Sequence, residues 1–464
     1  MKEQDSPLSL GTDNLASLLK RYAMPSIIAM VSSSLYNMID SIFIGHGVGP
    51  MAISGLALTM PLMNLAAAFG AMVGAGSAAL TSIRLGQGNK PAAEMILGNV
   101  VLLNVSMGII FMILGLYFLD DLLYLFGASE NTIGYARDFM SVILMGNVVT
   151  HLYLGLNNQL RVSGYPRKSM SVMLVSVGVN VVLAALFIFV FKWGIKGSAL
   201  ATVIAQLVSL SIQIVHFTRP DSFLRFRKGI FRFKWDIIKN IIGIGMAPFF
   251  IQSCACVVVI LINNALRTHG GDLNIGAYGI VNRVAFLFVM VVMGLNQGMQ
   301  PIVGYNYGAE KYDRVIKVLG MTIGWAMGIT TMGFIVSEFF PYAVVHLFVS
   351  EDGSGEATTL IDAAAHGIKI IMMLYPLVGF QIVVGNFFQF IGKAKRAILL
   401  SLTRQLLFVI PLLLILPDMW GVDGVWYTMP IADCFSIVLA SVLLFFQLRQ
   451  FRRMMAEQRY ERME

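Results

Sequence analysis

Long apolar segments recur along the whole chain and constrain its fold more than any other feature of the sequence. A helix that crosses a bilayer needs about 20 predominantly apolar residues. Only 12% of the 464 residues are charged, about half the share found in soluble domains. We predict an all-α polytopic membrane protein with twelve transmembrane helices. The segments are 17–44, 51–83, 92–118, 137–160, 169–191, 197–217, 240–266, 275–303, 315–348, 365–391, 397–416 and 424–448.

Basic residues are concentrated in every second connection between these segments. If the N-terminus lies in the cytoplasm, the inward-facing pieces hold 26 of the 33 Lys and Arg residues. The outward connections are acidic or nearly uncharged, as at Asp120-Asp121 and Asp418. Because cytoplasmic loops carry the excess of Lys and Arg, we expect both termini in the cytoplasm.

The two halves of the chain repeat each other. Matching residues are separated by 222 to 228 positions, and the pairs include Pro25 with Pro248, Asp40 with Asn263, Asn158 with Asn386, and Gln206 with Asp433. Each half holds an even number of spans, so the repeats share one orientation and are related by a pseudo-two-fold axis along the membrane normal. We predict two six-helix lobes with a cavity between them near the midplane. This architecture is typical of transporters, and a channel is less expected.

These observations divide the chain into four parts. They are an N-terminal lobe (1–218, spans one to six), a basic and aromatic cytoplasmic linker (219–239), a C-terminal lobe (240–448, spans seven to twelve) and a basic cytoplasmic tail (449–464). The linker could mimic a nucleic-acid surface. Beside a membrane, however, a segment of this composition more often lies on anionic lipid, so we expect no nucleic-acid partner.

Asp40 stands out because it lies inside the first apolar segment. A carboxylate at the centre of a membrane helix costs about 2.5–3.5 kcal/mol on insertion scales and usually has a function. Tyr36 and Asn37 precede it by four and three residues, which places all three on one helix face. We interpret Asp40 as a proton- or cation-binding residue facing an internal cavity. A structural carboxylate held by a hydroxyl or amide of a neighbouring helix is the alternative.

Several motifs give the sequence a resemblance to a known family. They are Pro25 with Asn37-x-x-Asp40, Arg84-Leu85-Gly86-x-Gly88, Leu160-Arg161-x-x-Gly164, Gly194-Ile195-x-Gly197-x-Ala199-x-Ala201-Thr202 and Gly304-Tyr305-Asn306-Tyr307-Gly308-Ala309-x-Lys311. With the repeat, they resemble the multidrug and toxic compound extrusion (MATE) family, in the style of its MepA-like bacterial branch. The resemblance implies a secondary active antiporter of the bacterial cytoplasmic (inner) membrane, which exports drugs and toxic organic cations by alternating access.

The resemblance also implies a coupling site in the N-terminal lobe. Asp40 occupies the position of the coupling carboxylate, and Asn180 and Thr202 match its usual neighbours. Ala184 stands where a second acid is usual, which weakens a sodium site because such a site needs several oxygen ligands. We expect a single protonatable Asp40, hydrogen-bonded to Asn180 and Thr202, with Tyr36 and Asn37 beside it. Protons are the favoured coupling ion and sodium is the alternative; no cofactor and no metal are expected.

A second set of residues is predicted for the substrate cavity. Its members are polar or deformable side chains inside apolar segments: Asn157, Asn158, Gln297, Met290, Met293 and Asp433. The amides could instead form hydrogen bonds between helices, and the methionines could be ordinary packing residues. Asp433 could bind a cation or a proton, or it could be tied to Arg404 or Lys369.

Functions other than drug export have less support in the sequence. No Ser-His-Asp order, metal-ligand cluster or acidic pair supports an enzyme. A flippase for lipids or lipid-linked oligosaccharides would need a strongly basic central cavity, yet most basic residues lie in the predicted cytoplasmic connections. The exceptions inside apolar segments, Arg283, Lys369 and Arg404, keep this alternative open. A non-transporting membrane receptor or assembly subunit is an alternative of another class. We expect a monomer whose partners are small molecules and membrane lipid.

Overall fold

The structure is a computed structural model in which residues 7–348 and 355–461 are described. Within those ranges the regular structure is helical and contains no strand. A short 3₁₀ turn, Pro7–Gly11, precedes the first helix. The α-helices are α1 (Leu15–Gly47), α2 (Pro50–Gly86), α3 (Lys90–Tyr117), α4 (Leu119–Leu125), α5 (Ile133–Met145), α6 (Asn147–Val162), α7 (Pro166–Ala185), α8 (Gly194–Thr218), α9 (Trp235–Gly270), α10 (Asp272–Gly308), α11 (Tyr312–Phe339), α12 (Pro341–His346), α13 (Gly355–Met372), α14 (Tyr375–Phe390), α15 (Ala394–Leu402), α16 (Ile410–Trp420) and α17 (Val422–Glu461). Residues 1–6 of the predicted N-terminal lobe and 462–464 of the predicted tail lie outside the described residues.

The number of membrane-spanning helices agrees with the prediction. Ten helices are long and apolar enough to cross a membrane, and two bent helix pairs bring the total to twelve when each pair counts as one span. The pairs are α5 with α6, bent by 55°, and α13 with α14, bent by 53°. The predicted all-α polytopic fold is confirmed.

Three predicted spans are not single continuous helices. Span four breaks at Gly146, between α5 and α6, where the backbone freedom of glycine weakens a helix. Span ten breaks before Pro376, which stands in the first turn of α14. Span nine ends at Phe339, because Pro341 begins the separate helix α12. Proline lacks the N–H that an uninterrupted helix would need at these positions.

Two spans continue through short π-helical turns. Leu186–Val190 extends α7, and Thr403–Val409 joins α15 to α16. Such turns add one residue to the helical repeat and often occur at functional sites. Here they lie in spans five and eleven, which are equivalent spans of the two halves.

Helix packing follows the internal repeat. The most extensive contacts across the lobe boundary are those of α1 with α10 and of α2 with α9. The first helix of each half therefore packs against the second helix of the other half. A pseudo-two-fold axis along the membrane normal produces this exchange.

Glycines allow the lobes to approach closely at this boundary. A Cβ atom on Gly76 of α2 would lie 2.1 Å from the carbonyl oxygen of Ile241 in α9. A Cβ atom on Gly245 of α9 would lie 1.9 Å from the carbonyl oxygen of Met72 in α2. The two backbones are thus in direct contact, as small residues permit in membrane helices.

Among the described residues, the buried apolar clusters that join the two lobes lie at one end of the molecule. The buried apolar clusters that combine both lobes lie near the basic connections; one includes Leu18, Leu160 and Val303, and another includes Ile96 and Ile241. At the opposite end, the described clusters are each confined to one lobe. The lobes are therefore sealed together at the basic end of the molecule.

The N-terminal segment adds to this seal. Arg314 of α11 donates hydrogen bonds to the carbonyl oxygens of Leu10 (3.2 Å) and Asp13 (2.6 Å). Asn306 Nδ2 also donates to Leu10 (2.9 Å), and Lys311 Nζ donates to Gly11 (2.8 Å). Asn306 and Lys311 belong to the glycine-tyrosine motif, so one role of this motif is to hold the Pro7–Gly11 turn.

Candidate functional site

Asp40 lies in the N-terminal lobe, two turns before the end of α1. Its side chain is buried, and Ser198 Oγ of α8 donates a hydrogen bond of 2.6 Å to its Oδ1 atom. The ion pairs formed by the described residues do not include Asp40. A buried carboxylate without a cationic partner is costly, so binding a proton or a cation would stabilise this site.

Tyr36, one turn before Asp40, joins a separate polar triangle. Asn180 Nδ2 donates to the Tyr36 hydroxyl (2.9 Å) and to Thr202 Oγ1 (2.9 Å), while the two hydroxyl oxygens lie 3.0 Å apart within hydrogen-bonding distance. Thr202 in turn donates to the carbonyl oxygen of Ser198 (3.1 Å). The triangle and the carboxylate therefore share one turn of α8, from Ser198 to Thr202.

The predicted direct hydrogen bonds from Asn180 and Thr202 to Asp40 are wrong, because both side chains lie within hydrogen-bonding distance of the Tyr36 hydroxyl instead. Sequence reasoning also missed Ser198, the side chain that contacts the carboxylate. Its signal was available: Ser198 precedes Thr202 by four residues and therefore lies on the same face of α8. Asn37 is exposed, and the structure does not bring it into the triangle.

Two further features complete this site: an amide oxygen of Asn180 and the apolar surface around Ala184. Asn180 Oδ1 is buried and has no hydrogen-bond partner among the described residues. Ala184, at the position where a second acid is usual, packs against Phe187 and Ala201. The site therefore offers one carboxylate and one free amide oxygen, and apolar surface where a second carboxylate would stand.

Three of the predicted cavity residues meet near the basic end of the molecule. A cavity of about 130 Å³ is lined by residues that include Asn157, Asn158, Gln297 and Arg161. Arg161 donates hydrogen bonds to the side-chain oxygens of Asn158 and Gln297. Asn157 is occupied within its own lobe, where its Nδ2 atom donates to the carbonyl oxygen of Ser169 (3.1 Å).

The other predicted cavity residues are separate from this group. Met290 and Met293 are half-buried on α10, and Met293 accepts a weak hydrogen bond from Asn386 Nδ2 (3.9 Å). Asp433 is buried in the C-terminal lobe, where Arg404 Nε donates to its Oδ1 atom (2.8 Å). Of the two cations considered for Asp433, the structure therefore pairs it with Arg404, whereas Lys369 is exposed.

Comparison with known proteins identifies the family. The family profile described as MatE matches residues 25–186 and 248–415. The chain belongs to the MATE family. Its two matched segments correspond to the two lobes, and the protein is a multi-pass membrane transporter and not an enzyme. The MATE relatives cover nearly all of it.

Individual relatives extend this match. The chain is 25% identical to the multidrug export protein MepA of Staphylococcus aureus (strain MRSA252), over 93% of each chain. Identity to MepA of Staphylococcus haemolyticus is also 25%, over 92% of each.

Solved structures give the same fold. A structure of the MATE multidrug transporter DinF-BH is 34% identical, with a TM-score of 0.87, covering 96% of this chain and 98% of that one. An outward-facing multidrug resistance MATE family transporter, 21% identical, has a TM-score of 0.89 and covers 96% and 98%.

Proposed function

We propose that this MATE transporter is a secondary active multidrug efflux antiporter. It exports cationic or amphipathic small molecules from the cytoplasm in exchange for protons, by alternating access between its lobes. Its relatives include proteins described as multidrug exporters. The observation that carries the coupling part of the proposal is that Asp40 is buried and takes part in none of the ion pairs among the described residues. Its hydrogen bond from Ser198 fits the structural alternative equally well.

The proposed cycle follows from the charge of Asp40. As an anion, Asp40 attracts a lipophilic cation or favours a different position of α1. A proton that arrives from outside neutralises Asp40, lowers that attraction and releases the substrate. Proton and substrate need not touch the same atoms, provided that each favours a different arrangement of the lobes. In the predicted orientation, the end at which the lobes pack together is the cytoplasmic end.

The composition of the site supports protons over sodium. A bare cation needs several oxygen ligands at once, and an apolar Ala184 replaces one of the usual carboxylates. The hydroxyls of Tyr36 and Thr202 are already engaged with Asn180. A single carboxylate that binds and releases a proton requires no further ligand.

Transport into and out of proteoliposomes tests this proposal. Efflux of a fluorescent organic cation is measured under separately imposed proton and sodium gradients, with the wild type, Asp40→Asn and Asp121→Asn. Asp121 is an exposed carboxylate at the predicted external end, so its substitution controls for loss of one acidic group. We expect proton-driven efflux that Asp40→Asn abolishes and Asp121→Asn retains. If Asp40→Asn retained undiminished proton-driven efflux, Asp40 would not be part of the coupling mechanism. If only the sodium gradient drove efflux, the coupling ion would be sodium and not the proton.

Two alternatives make different demands on the same molecule. The cations that favour a flippase are dispersed: Arg404 pairs with Asp433, while Arg283 and Lys369 are exposed. A receptor or assembly subunit would bind the organic cation without moving it. Binding to the purified protein without any gradient-driven efflux would support that alternative.

A further inference from the structure

Arg161 is a buried cation at the boundary between the lobes. It lies near the end of α6 and is 5% exposed. Its guanidinium donates to Asn158 of its own lobe and to Gln297 of the other lobe. Its Nε atom is buried without a hydrogen-bond partner among the described residues.

The charge of Arg161 is not neutralised within the part of the chain that the structure describes. The ion pairs there do not include Arg161, and both of its acceptors are neutral amides. Buried charges in proteins are normally paired. Arg404, a cation inside the C-terminal lobe, follows this rule through Asp433.

The fold does not require a cation at this position. In the internal repeat that aligns Asn158 with Asn386, Gln389 of α14 is the residue equivalent to Arg161. Gln389 is likewise buried, at 3% exposure, so a neutral side chain of similar reach fills the equivalent position. The charge of Arg161 is therefore specific to the N-terminal lobe.

The surroundings of Arg161 suit an anion. The guanidinium lines the 130 Å³ cavity, which has room for roughly four water molecules at about 30 Å³ each. Pro166 and Ser169, in the first turn of α7, line the same cavity. A helix N-terminus carries partial positive charge. Its contribution here is that partial charge alone, because Pro166 has no N–H and the N–H of Ser169 donates to the carbonyl oxygen of Tyr165 (3.0 Å). The rest of the wall is largely apolar and includes Met30, Met170 and Met173.

We propose that Arg161 and the first turn of α7 form a binding site for the acidic group, carboxylate or phosphate, of an amphipathic molecule. A planar guanidinium recognises such oxyanions with two parallel hydrogen bonds. The cavity accepts the acidic group and an adjoining apolar part, while the remainder of the molecule extends between the lobes. Bound anion competes with Gln297 for the guanidinium and so weakens a contact that joins the lobes. A substrate role for this site rests on the proposed export function.

A matched pair of dyes tests the site by direct binding. An ethyl-ester rhodamine is a cation, and its free acid is the zwitterion that differs only by the carboxylate. Fluorescence anisotropy gives the affinity of each dye for the purified protein in phosphatidylcholine nanodiscs. We expect Arg161→Gln to weaken free-acid binding about tenfold or more, since it removes a charge-assisted hydrogen bond, and to change ester binding by less than twofold. Arg161→Lys keeps the positive charge but lacks the planar pair of N–H donors, so its affinity for the free acid should be intermediate.

The controls separate this site from a structural role and from the export function. Arg452→Gln removes an exposed arginine of α17 and should affect neither dye. Equal weakening of both dyes by Arg161→Gln, or no weakening of the free acid, would overturn the proposal. Nanodiscs with phosphatidylglycerol distinguish the two sources of the anion: Arg161-dependent competition identifies a lipid headgroup, and its absence identifies the soluble amphipath. Export is scored separately by efflux of the ester, so failure of that assay leaves the binding result intact.

Discussion

The glycine contact between α2 and α9 allows a sharp test of how the lobes are joined. In Gly245→Ala the new Cβ would lie 1.9 Å from the carbonyl oxygen of Met72. Heavy atoms in good contact are about 3.5 Å apart, so the helices would have to separate by roughly 1.5 Å. The opposing atom is a backbone carbonyl and cannot rotate away as a side chain would. Overpacking of this kind typically costs about 1–3 kcal/mol.

Gly243, two residues earlier on the same helix, is the matched control. A Cβ atom there would have no neighbour within 4 Å, so Gly243→Ala adds only the better helix propensity of alanine, worth up to about 1 kcal/mol. Thermal unfolding of both variants in detergent should therefore show a lower midpoint for Gly245→Ala and an unchanged or higher one for Gly243→Ala. Equal behaviour of the two would refute the close approach of α2 and α9.

Three further substitutions probe other contacts. Ser198→Ala removes the hydroxyl that donates to Asp40, and we expect several-fold slower efflux in proteoliposomes with normal protein yield; wild-type efflux would argue against Ser198 as a positioning residue. Arg404→Gln leaves Asp433 buried and unpaired, at a cost of about 3–5 kcal/mol. The double variant Arg404→Gln/Asp433→Asn should recover much of the lost thermal stability. Equal losses of stability in the single and the double variant would contradict an ion pair between these residues. Arg314→Ala removes contacts to Leu10 and Asp13 and should increase hydrogen exchange at the Pro7–Gly11 turn, with the exposed Arg453→Ala as the control that leaves exchange unchanged.

Much of the fold could be predicted because the bilayer requires apolar segments of a minimum length, and such segments can be recognised directly along the sequence. The length and polarity of a segment decide whether it can span, so the twelve segments and their duplication were evident from sequence. The bends were less accessible. Gly146 and Pro376 are visible in the sequence, but other prolines, such as Pro25 and Pro248, lie inside helices α1 and α9 that continue through them. Neighbouring helices can satisfy the freed carbonyls, and that depends on tertiary packing.

The candidate site was predicted only in outline for a similar reason. Asp40, Asn180 and Thr202 could be placed together, but which donor reaches the carboxylate depends on side-chain directions that differ by one helical turn. Serines are common in membrane helices as packing residues, so Ser198 carried a weak signal. The contact between Arg161 and Gln297 joins residues 136 positions apart on different lobes, and no local pattern reports such a contact.

The two lobes are related in fold and unequal in charge, and this inequality bears on coupling. The internal repeat places a neutral Asn263 at the position of Asp40, and the buried acid of the C-terminal lobe, Asp433, is neutralised there by Arg404. Protonating Asp40 would remove the cost of a buried charge and require no other group to change. A ligand can shift a conformational equilibrium only through a difference in its affinity for the two states. Of these two carboxylates, Asp40 is the one without a cationic partner among the described residues, and we place the proposed coupling in the N-terminal lobe for this reason.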